Sequence, residues 1–373
     1  MAGAPRGNAV FTVVVTALVL LCAVPMSLVV GVSSAPRVTV LATLLAAVPV
    51  GPLIACFLWL DRYEPEPRPL LVGGLLWGVF VATAIALVLE GVGGFVGGVS
   101  DKGMLEFGAP LAEEASKGLF LLLLLWWRRA ELDGVLDGIV YAGMVGVGFA
   151  FTENILYLAS AYDGTDGVGP GGVDTLTGTF VLRCLVSPFA HPLFTACTGI
   201  GVGIAVGSRR RSTRILAPVA GYLCAVVTHA IWNTSTVFGP GNFVTVYVIL
   251  MAPLFVAAVA LATWVRRSEG RMLRGALSDA ARRGLLPETD IAWVVDLAAR
   301  RRSRAYARST GGVAAERAMR DYQQAVIELG FLHSRYLRGV PPPDFAARGH
   351  DYVARISALR PSIAFPGQVV PIR

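Results

Sequence analysis

Eight stretches of the chain are each long and apolar enough to cross a bilayer, and this constraint dictates the fold class. They run 9–31, 38–60, 70–99, 104–127, 136–161, 178–206, 215–238 and 243–265. A spanning helix needs about 20 apolar residues. In hydrocarbon, backbone N–H and C=O groups must be satisfied internally, so only helices and closed barrels cross. Runs of this length predict an all-α polytopic membrane bundle of about eight spans. Composition points the same way: 55% of the residues are hydrophobic and 15% charged, against about 25% charged in soluble domains. The mean hydropathy is +0.63. A cytosolic enzyme, a disordered scaffold and a nucleic-acid-binding protein are disfavoured. Cys22, Cys56, Cys184, Cys197 and Cys224 lie in apolar runs without a CxxC. They read as small buried hydrophobes rather than as disulfides or a thiolate zinc site.

Orientation follows from the basic residues of the short loops. With the N-terminus inside, the inner segments carry Arg62 and Arg68, Arg128 and Arg129, the run Arg209, Arg210, Arg211 and Arg214, and then Arg266 and Arg267. The outer loops carry only Arg37 and Lys102, and the 162–177 loop is acidic and Gly-rich. The expectation is a multi-pass protein of the cell membrane with both termini cytoplasmic. Arg6 and Ser33-Ser34-Ala35 resemble the ends of a signal peptide, but the apolar run between them exceeds the usual 7–15 residues. It reads as a retained helix. Closely spaced Gly91, Gly93 and Gly94 in the third span predict close helix packing.

Composition changes after residue 265. Residues 266–373 hold 19 Arg against 10 Asp and Glu, a net +9, while residues 1–265 net −2. The chain therefore divides into a membrane domain, 1–265, and an Arg-rich, mostly helical cytoplasmic tail, 266–373. Such a tail suits contact with anionic lipid headgroups, and nucleic acid is not an expected partner. Leu273, Leu277, Ala280 and Ala281 form one apolar helical face. Gly284 and Pro287 break it, Thr289 or Asp290 can cap the next helix, and Gly311-Gly312 breaks that one. Residues 339–373, with Pro341-Pro342-Pro343, read as loosely ordered, and His333 and His350 as ordinary surface histidines.

Ionisable groups inside the spans cost about 2.5–3.5 kcal/mol each on insertion scales and are functional candidates by default. They are Glu90, Glu113, Glu114, Lys117, Glu153, Arg183, His191 and His229. Glu113 lies nine residues into the fourth span, about 13 Å deep at 1.5 Å per residue. By the same count Glu153, His191 and His229 fall in one layer between mid-membrane and the outer third. Lys117 stands i+4 from Glu113 and i+3 from Glu114 and can neutralise either. Adjacent residues point about 100° apart on a helix, so one glutamate is expected in the site and the other on Lys117 or a neighbouring helix. His229 and Asn233 share a face, as do Phe149 and Glu153. Pro188 and Pro192 flank His191 and should open its helix, freeing backbone carbonyls. Two imidazoles and several carboxylates at one depth suit zinc and a metal-activated water. The same residues could serve a proton or cation relay, or hold the bundle together as an ion-pair cluster. No HExxH or GxGD occurs, and no GxSx elbow pairs with a histidine.

The run Asp61-Arg62-Tyr63-Glu64-Pro65-Glu66-Pro67 is followed by Glu113-Glu114-Ala115-Ser116-Lys117 and Phe149-Ala150-Phe151-Thr152-Glu153-Asn154. His191 and His229-Ala230-Ile231-Trp232-Asn233 come next. Over residues 38–265 this series resembles the PrsW family of intramembrane metalloproteases, itself similar to the wider CPBP group that includes CAAX prenyl endopeptidases. The resemblance implies a membrane-embedded peptidase acting on membrane-anchored proteins such as anti-sigma factors. It makes Glu113 and Glu114 the EE pair of EExxK, Lys117 its basic partner, and His229 with Asn233 the HxxxN motif. Glu153 stands where the CPBP group has histidine. The implied roles are catalytic for Glu113, Glu114, Lys117 and Asn233, and zinc ligation for Glu153, His191 and His229. A metal-free version has Glu113 activate water while His229 and Asn233 stabilise the oxyanion.

Overall fold

The computed structural model describes residues 6–63, 65–95, 103–165, 170–237 and 240–367, and among them every regular element is helical. Helices α1 (Arg6–Val32), α2 (Pro36–Ala47), α3 (Val50–Leu60), α4 (Arg68–Leu76) and α5 (Thr83–Phe95) open the chain. They are followed by α6 (Ala109–Trp127), α7 (Val135–Asp163), α8 (Gly172–Phe180), α9 (Ala190–Gly207) and α10 (Arg211–Val237). Then come α11 (Pro240–Val246), α12 (Ala252–Arg282), α13 (Ile291–Val295), α14 (Leu297–Leu337) and α15 (Phe345–Leu359). Single π-helical turns at Trp77–Ala82, Met104–Gly108, Val181–Val186 and Tyr247–Met251 join α4 to α5 and lead out of or into α6, α8 and α12. Such turns are frequent at functional sites.

Seven helical stretches among the described residues are long and apolar enough to cross a membrane. The eighth expected span, 104–127, is helical throughout, as the Met104–Gly108 turn running into α6. It is set apart because Glu113, Glu114 and Lys117 interrupt its apolar sequence. The sixth span is broken, as the prolines require: α8 and its π turn end at Val186, and α9 starts afresh at Ala190. The Val186 carbonyl accepts from the Tyr247 hydroxyl at 2.9 Å, and the Leu182 carbonyl accepts from Ser187 Oγ at 2.7 Å. The freed backbone groups are thereby satisfied.

Two compact units result, one from residues up to 60 and 66–262, the other from 61–65 and 263 onward. The first is built around α7, which is buried on nearly all sides. Glycines make this possible. A Cβ on Gly138 would lie 2.0 Å from the Gly199 carbonyl oxygen of α9, and one on Gly148 would lie 2.0 Å from the Leu75 carbonyl oxygen of α4. Gly146 meets the Pro192 backbone, at 2.7 Å for the same added atom. Helix backbones in contact bring the polar residues of α7 and α9 within reach of each other. Gly91, by contrast, faces open space, and Gly93 meets only the Met104 side chain. In the third span close packing is thus made by Gly78, whose added Cβ would lie 2.1 Å from the Val145 carbonyl oxygen of α7, and not by Gly91 or Gly93; residues 96–99 of that span lie outside the described residues. Helix α1 joins the unit through buried Phe11, whose ring stands 5.8 Å from Phe120. Of the cysteines only Cys184 is buried; Cys56 and Cys224 are exposed and all five are free. Their apolar runs face outward as often as inward.

In the second unit Leu273, Leu277 and Ala280 are fully buried, as the apolar face requires. Gly284 and Gly312 take positive φ, at 75° and 69°, and break the helices there. Asp296, rather than Thr289 or Asp290, caps the next long helix, accepting from the Ala299 N–H at 2.7 Å. Residues up to 367 are more ordered than their prolines suggest. The chain ends fold back because Phe365 stacks on Trp293 at 5.4 Å and Arg360 clamps buried Asp290 with bonds of 2.5 and 3.0 Å. His333 is buried against Asp279 at 2.8 Å, not a surface residue, whereas His350 is exposed. Arg300 is buried and donates to the Arg62 and Tyr63 carbonyls at 3.3 and 3.1 Å and to the Val294 carbonyl. Its burial, with Arg304 nearby, pulls its pKa down to about 10.

The glycine contacts predict a graded response. Gly138→Val should destabilise the detergent-solubilised protein by about 3 kcal/mol, since overpacking against rigid backbone is expensive. Gly51→Ala, with nothing within 4 Å of the new atom, should be near neutral. Equal thermal midpoints for the two variants would contradict backbone contact between α7 and α9.

Candidate active site

The centre of the site is a fully buried ammonium group. Lys117 is fully buried, and its Nζ donates to Glu113 Oε2 and to Glu114 Oε1, each at 2.9 Å. It stands 3.1 Å from His191 Nδ1 and lies 3.8 Å above the centre of the Phe149 ring. A charge in the protein interior is tolerated only when paired and hydrogen-bonded. Here α6 supplies both carboxylates, α7 the ring and α9 the imidazole. The Trp77 indole pins α6 in place by donating to the Ser116 carbonyl at 3.0 Å.

The two glutamates differ. Glu114 is wholly enclosed and saturated: Oε1 also stands 3.0 Å from His229 Nδ1, and Oε2 accepts from Thr195 Oγ1 at 3.0 Å. Glu113 lines a cavity of about 370 Å³ together with Glu90, Phe149, Glu153, Tyr157 and Asn233. The expectation that adjacent residues cannot serve one centre is only half right. Lys117 draws both carboxylates inward, because the long glutamate side chains make up the 100° between them.

Each imidazole is held by one carboxylate. An ionised carboxylate only accepts hydrogen bonds, so Glu114 selects the Nδ1–H tautomer of His229, and its Nε2 is left 3.9 Å from Glu113 Oε2. His191 Nε2 stands 2.5 Å from Glu153 Oε2, so its Nδ1 accepts from Lys117 Nζ at 3.1 Å and lies 3.7 Å from that same Glu113 oxygen. The rings meet edge to face, 5.1 Å apart, with Phe194 stacked on His229 at 4.7 Å. The pattern matches the outer partners of metal-bound histidine, whose second nitrogen is fixed by a carboxylate.

Donor chemistry and spacing test whether a metal fits. Glu113, Glu114, His191 and His229 each offer an atom within 4.8 Å of all the others, and all four are buried. Ligands of a tetrahedral zinc with bonds of about 2.05 Å stand roughly 3.3 Å apart, a little closer than the 3.7 and 3.9 Å separations here. The set fits a first-row ion after a small contraction, with Lys117 beside it. Glu153 is outside this closest set; it pairs with Arg183, whose guanidinium also donates to Asn154 Oδ1 at 2.8 Å and lies 3.9 Å over the Tyr157 ring.

Glu113, Glu114, Lys117, Glu153, His191 and His229 thus form one bonded cluster, and Glu113, Glu153 and Asn233 line the cavity beside it. Sequence reasoning did not assign Arg183, Asn154 or Thr195 to the site. A lone arginine in an apolar span needs a carboxylate, which was a usable signal for Arg183, and Asn154 follows Glu153 in its motif. Thr195 gave none.

The buried pairing predicts a sign reversal. Lys117→Met leaves two carboxylates unneutralised and should cost about 3–5 kcal/mol of stability. Adding Glu114→Gln should recover part of that loss, measured by thermal unfolding in detergent. A double variant less stable than the sum of the singles would argue against charge pairing.

A model of the PrsW family intramembrane metalloproteases matches residues 66–258. The chain is 31% identical over 163 residues to Protease PrsW of Geobacillus kaustophilus (strain HTA426), covering 42% of this chain and 65% of the relative. It is 34% identical over 113 residues to Protease PrsW of Bacillus subtilis (strain 168), covering 28% and 48%. The chain thus spans under two thirds of either relative's length. No solved structure matches.

Proposed function

The chain belongs to the PrsW family of intramembrane metalloproteases, and on that premise we propose that it hydrolyses peptide bonds of membrane-anchored proteins inside the bilayer. The observation that carries the reading is the cavity wall. Carboxylates from α5, α6 and α7 line a space of about 370 Å³ beside two oriented imidazoles. A peptide bond entering there would meet Glu113, which lines the cavity with Glu90 and Glu153. Lys117 holds that carboxylate in place, and Glu114 holds His229. Asn233, one helical turn from His229, would donate to a developing oxyanion, and His229 would do so through Nε2 when its ring is protonated.

His229 would hold a zinc ion through Nε2, and His191 through Nδ1 once Lys117 releases that nitrogen, with a carboxylate from Glu113 or, as the sequence suggests, Glu153. Bound there, zinc would supply Lewis acidity and lower the pKa of a water molecule. With Glu153 as ligand, Glu113 remains to take the proton from water. Where no metal binds, Glu113 performs the same proton transfer and Lys117 supplies the compensating charge.

The basic residues of the inner loops support a cell-membrane protein with both termini cytoplasmic, and the +9 tail suits anionic lipid. A membrane-anchored regulator such as an anti-sigma factor is the proposed substrate class.

In proteoliposomes with a single-span substrate, Glu113→Gln and His229→Ala should each reduce cleavage at least 100-fold, the scale of losing a general base or an oxyanion donor. Both variants should still insert. Cleavage at the wild-type rate by inserted Glu113→Gln would refute the proposal.

Metal content separates the two chemistries. The zinc version expects one equivalent in purified protein, lost in the double variant His191→Ala/His229→Ala, and inhibition by chelator that zinc reverses. Metal-free protein that retains full activity after exhaustive chelation would leave Glu113 acting without an ion.

A further inference from the structure

Three arginines converge on a second cavity, away from the candidate active site, and no carboxylate lines it. This space of about 400 Å³ is bounded by Leu125, Arg129, Ala205, Arg211, Arg214 and Ile215. The arginines come from two chain segments: the turn after α6, and the first turn of α10. Arg211 and Arg214 are exposed and Arg129 is half-buried. No acidic residue occupies the first turn of α10. Arg211 and Arg214 therefore stand at the positive end of a 27-residue helix, where the helix dipole disfavours cations. Helix dipole and guanidinium groups add to one positive field over a cavity large enough for a small ligand.

We propose that this cavity binds a phosphate oxyanion, and that the anion is the headgroup of an anionic phospholipid. Guanidinium forks match phosphate oxygens in geometry as well as charge. The other half of the lining is apolar, and the surface beside it is too: Trp126 is 80% exposed, Ile215 57% and Leu216 62%. In a chain that spans a bilayer these side chains face acyl chains. The cavity thus sits where basic and lipid-facing surfaces meet, which suits a molecule charged at one end and apolar at the other. Basic pockets between transmembrane helices on the cytoplasmic side bind such headgroups.

The test uses the full chain in neutral detergent, with phosphatidylglycerol, phosphatidylcholine or inorganic phosphate added. Native mass spectrometry and thermal unfolding provide the readouts. Phosphatidylglycerol should give a 1:1 adduct and a higher melting temperature, and phosphatidylcholine should give neither. The variant R211Q/R214Q should weaken the adduct about tenfold or more, as expected when two charge-assisted contacts are lost. The variant R209Q/R210Q removes the same charge just outside the lining and should behave as wild type. Inorganic phosphate that raises the melting temperature equally well and displaces the lipid would keep the oxyanion site but overturn the lipid as its source. Equal weakening in both double variants, or equal adducts with both lipids in the wild-type protein, would overturn the site itself. The lipid comparison in wild type needs no variant to fold.

Discussion

The ammonium of Lys117 is the group on which the rest of the site depends. A lysine with no exposure to water, placed within a membrane bundle, cannot keep its charge without close counter-charges. Three donor-facing atoms within 3.1 Å meet that demand: two carboxylate oxygens from its own helix and an imidazole nitrogen from α9. Each partner then needs partners of its own. Glu114 takes His229 and Thr195, and His191 takes Glu153, which takes Arg183. The cluster grows outward from one cation until the last charge reaches the cavity.

Such a network requires helices closer together than ordinary side chains permit, and the glycines of α7 provide this. Without Cβ atoms at Gly138 and Gly148, α7 touches α9 and α4 backbone to backbone. The break at Ser187–Phe189 serves the same end. It lets α9 begin at mid-membrane, so that His191 sits in its first turn and Arg183 on the preceding π turn. A continuous helix would hold the two residues eight positions apart, about 12 Å along its axis at 1.5 Å per residue. Fold and site are therefore one problem, solved by small residues and a broken helix.

Much of this was legible in the chain. Length and apolarity give the spans, and the rarity of ionisable groups within them singles out Glu113, Glu114, Lys117, Glu153, His191 and His229. Proline on either side of His191 gives the break. What failed were inferences from a single helix. Helical wheel geometry rightly gave Glu113 and Glu114 different surroundings, but it places Cα atoms and ignores the reach of long side chains, so it did not show both bonded to one cation. The spacing of Gly91 and Gly93 suggested packing that is instead made by Gly138, Gly146 and Gly148, since spacing marks a small face without saying what covers it. In the tail, prolines suggested looseness. Asp290, Arg360 and Phe365 order the segment through contacts distant in sequence, which no local pattern records.

The sign of the cluster connects its structure to its chemistry. Within the bonded cluster Glu113, Glu114 and Glu153 contribute three negative charges, while Lys117 and Arg183 return two; Glu90 is a further carboxylate on the cavity wall outside this network. With both imidazoles neutral, one negative charge is left over, and in a low-dielectric interior such an excess is costly. A proton drawn from water removes it, and so does a divalent cation, which inverts it. Both routes lead through Glu113, because Glu114 is saturated by three donors and Glu153 is bound to Arg183. Of the two cluster glutamates that line the cavity, Glu113 is thus the one whose charge the cluster leaves less compensated. This is the electrostatic condition for a group that accepts a proton or binds a metal, as opposed to one that only holds helices together.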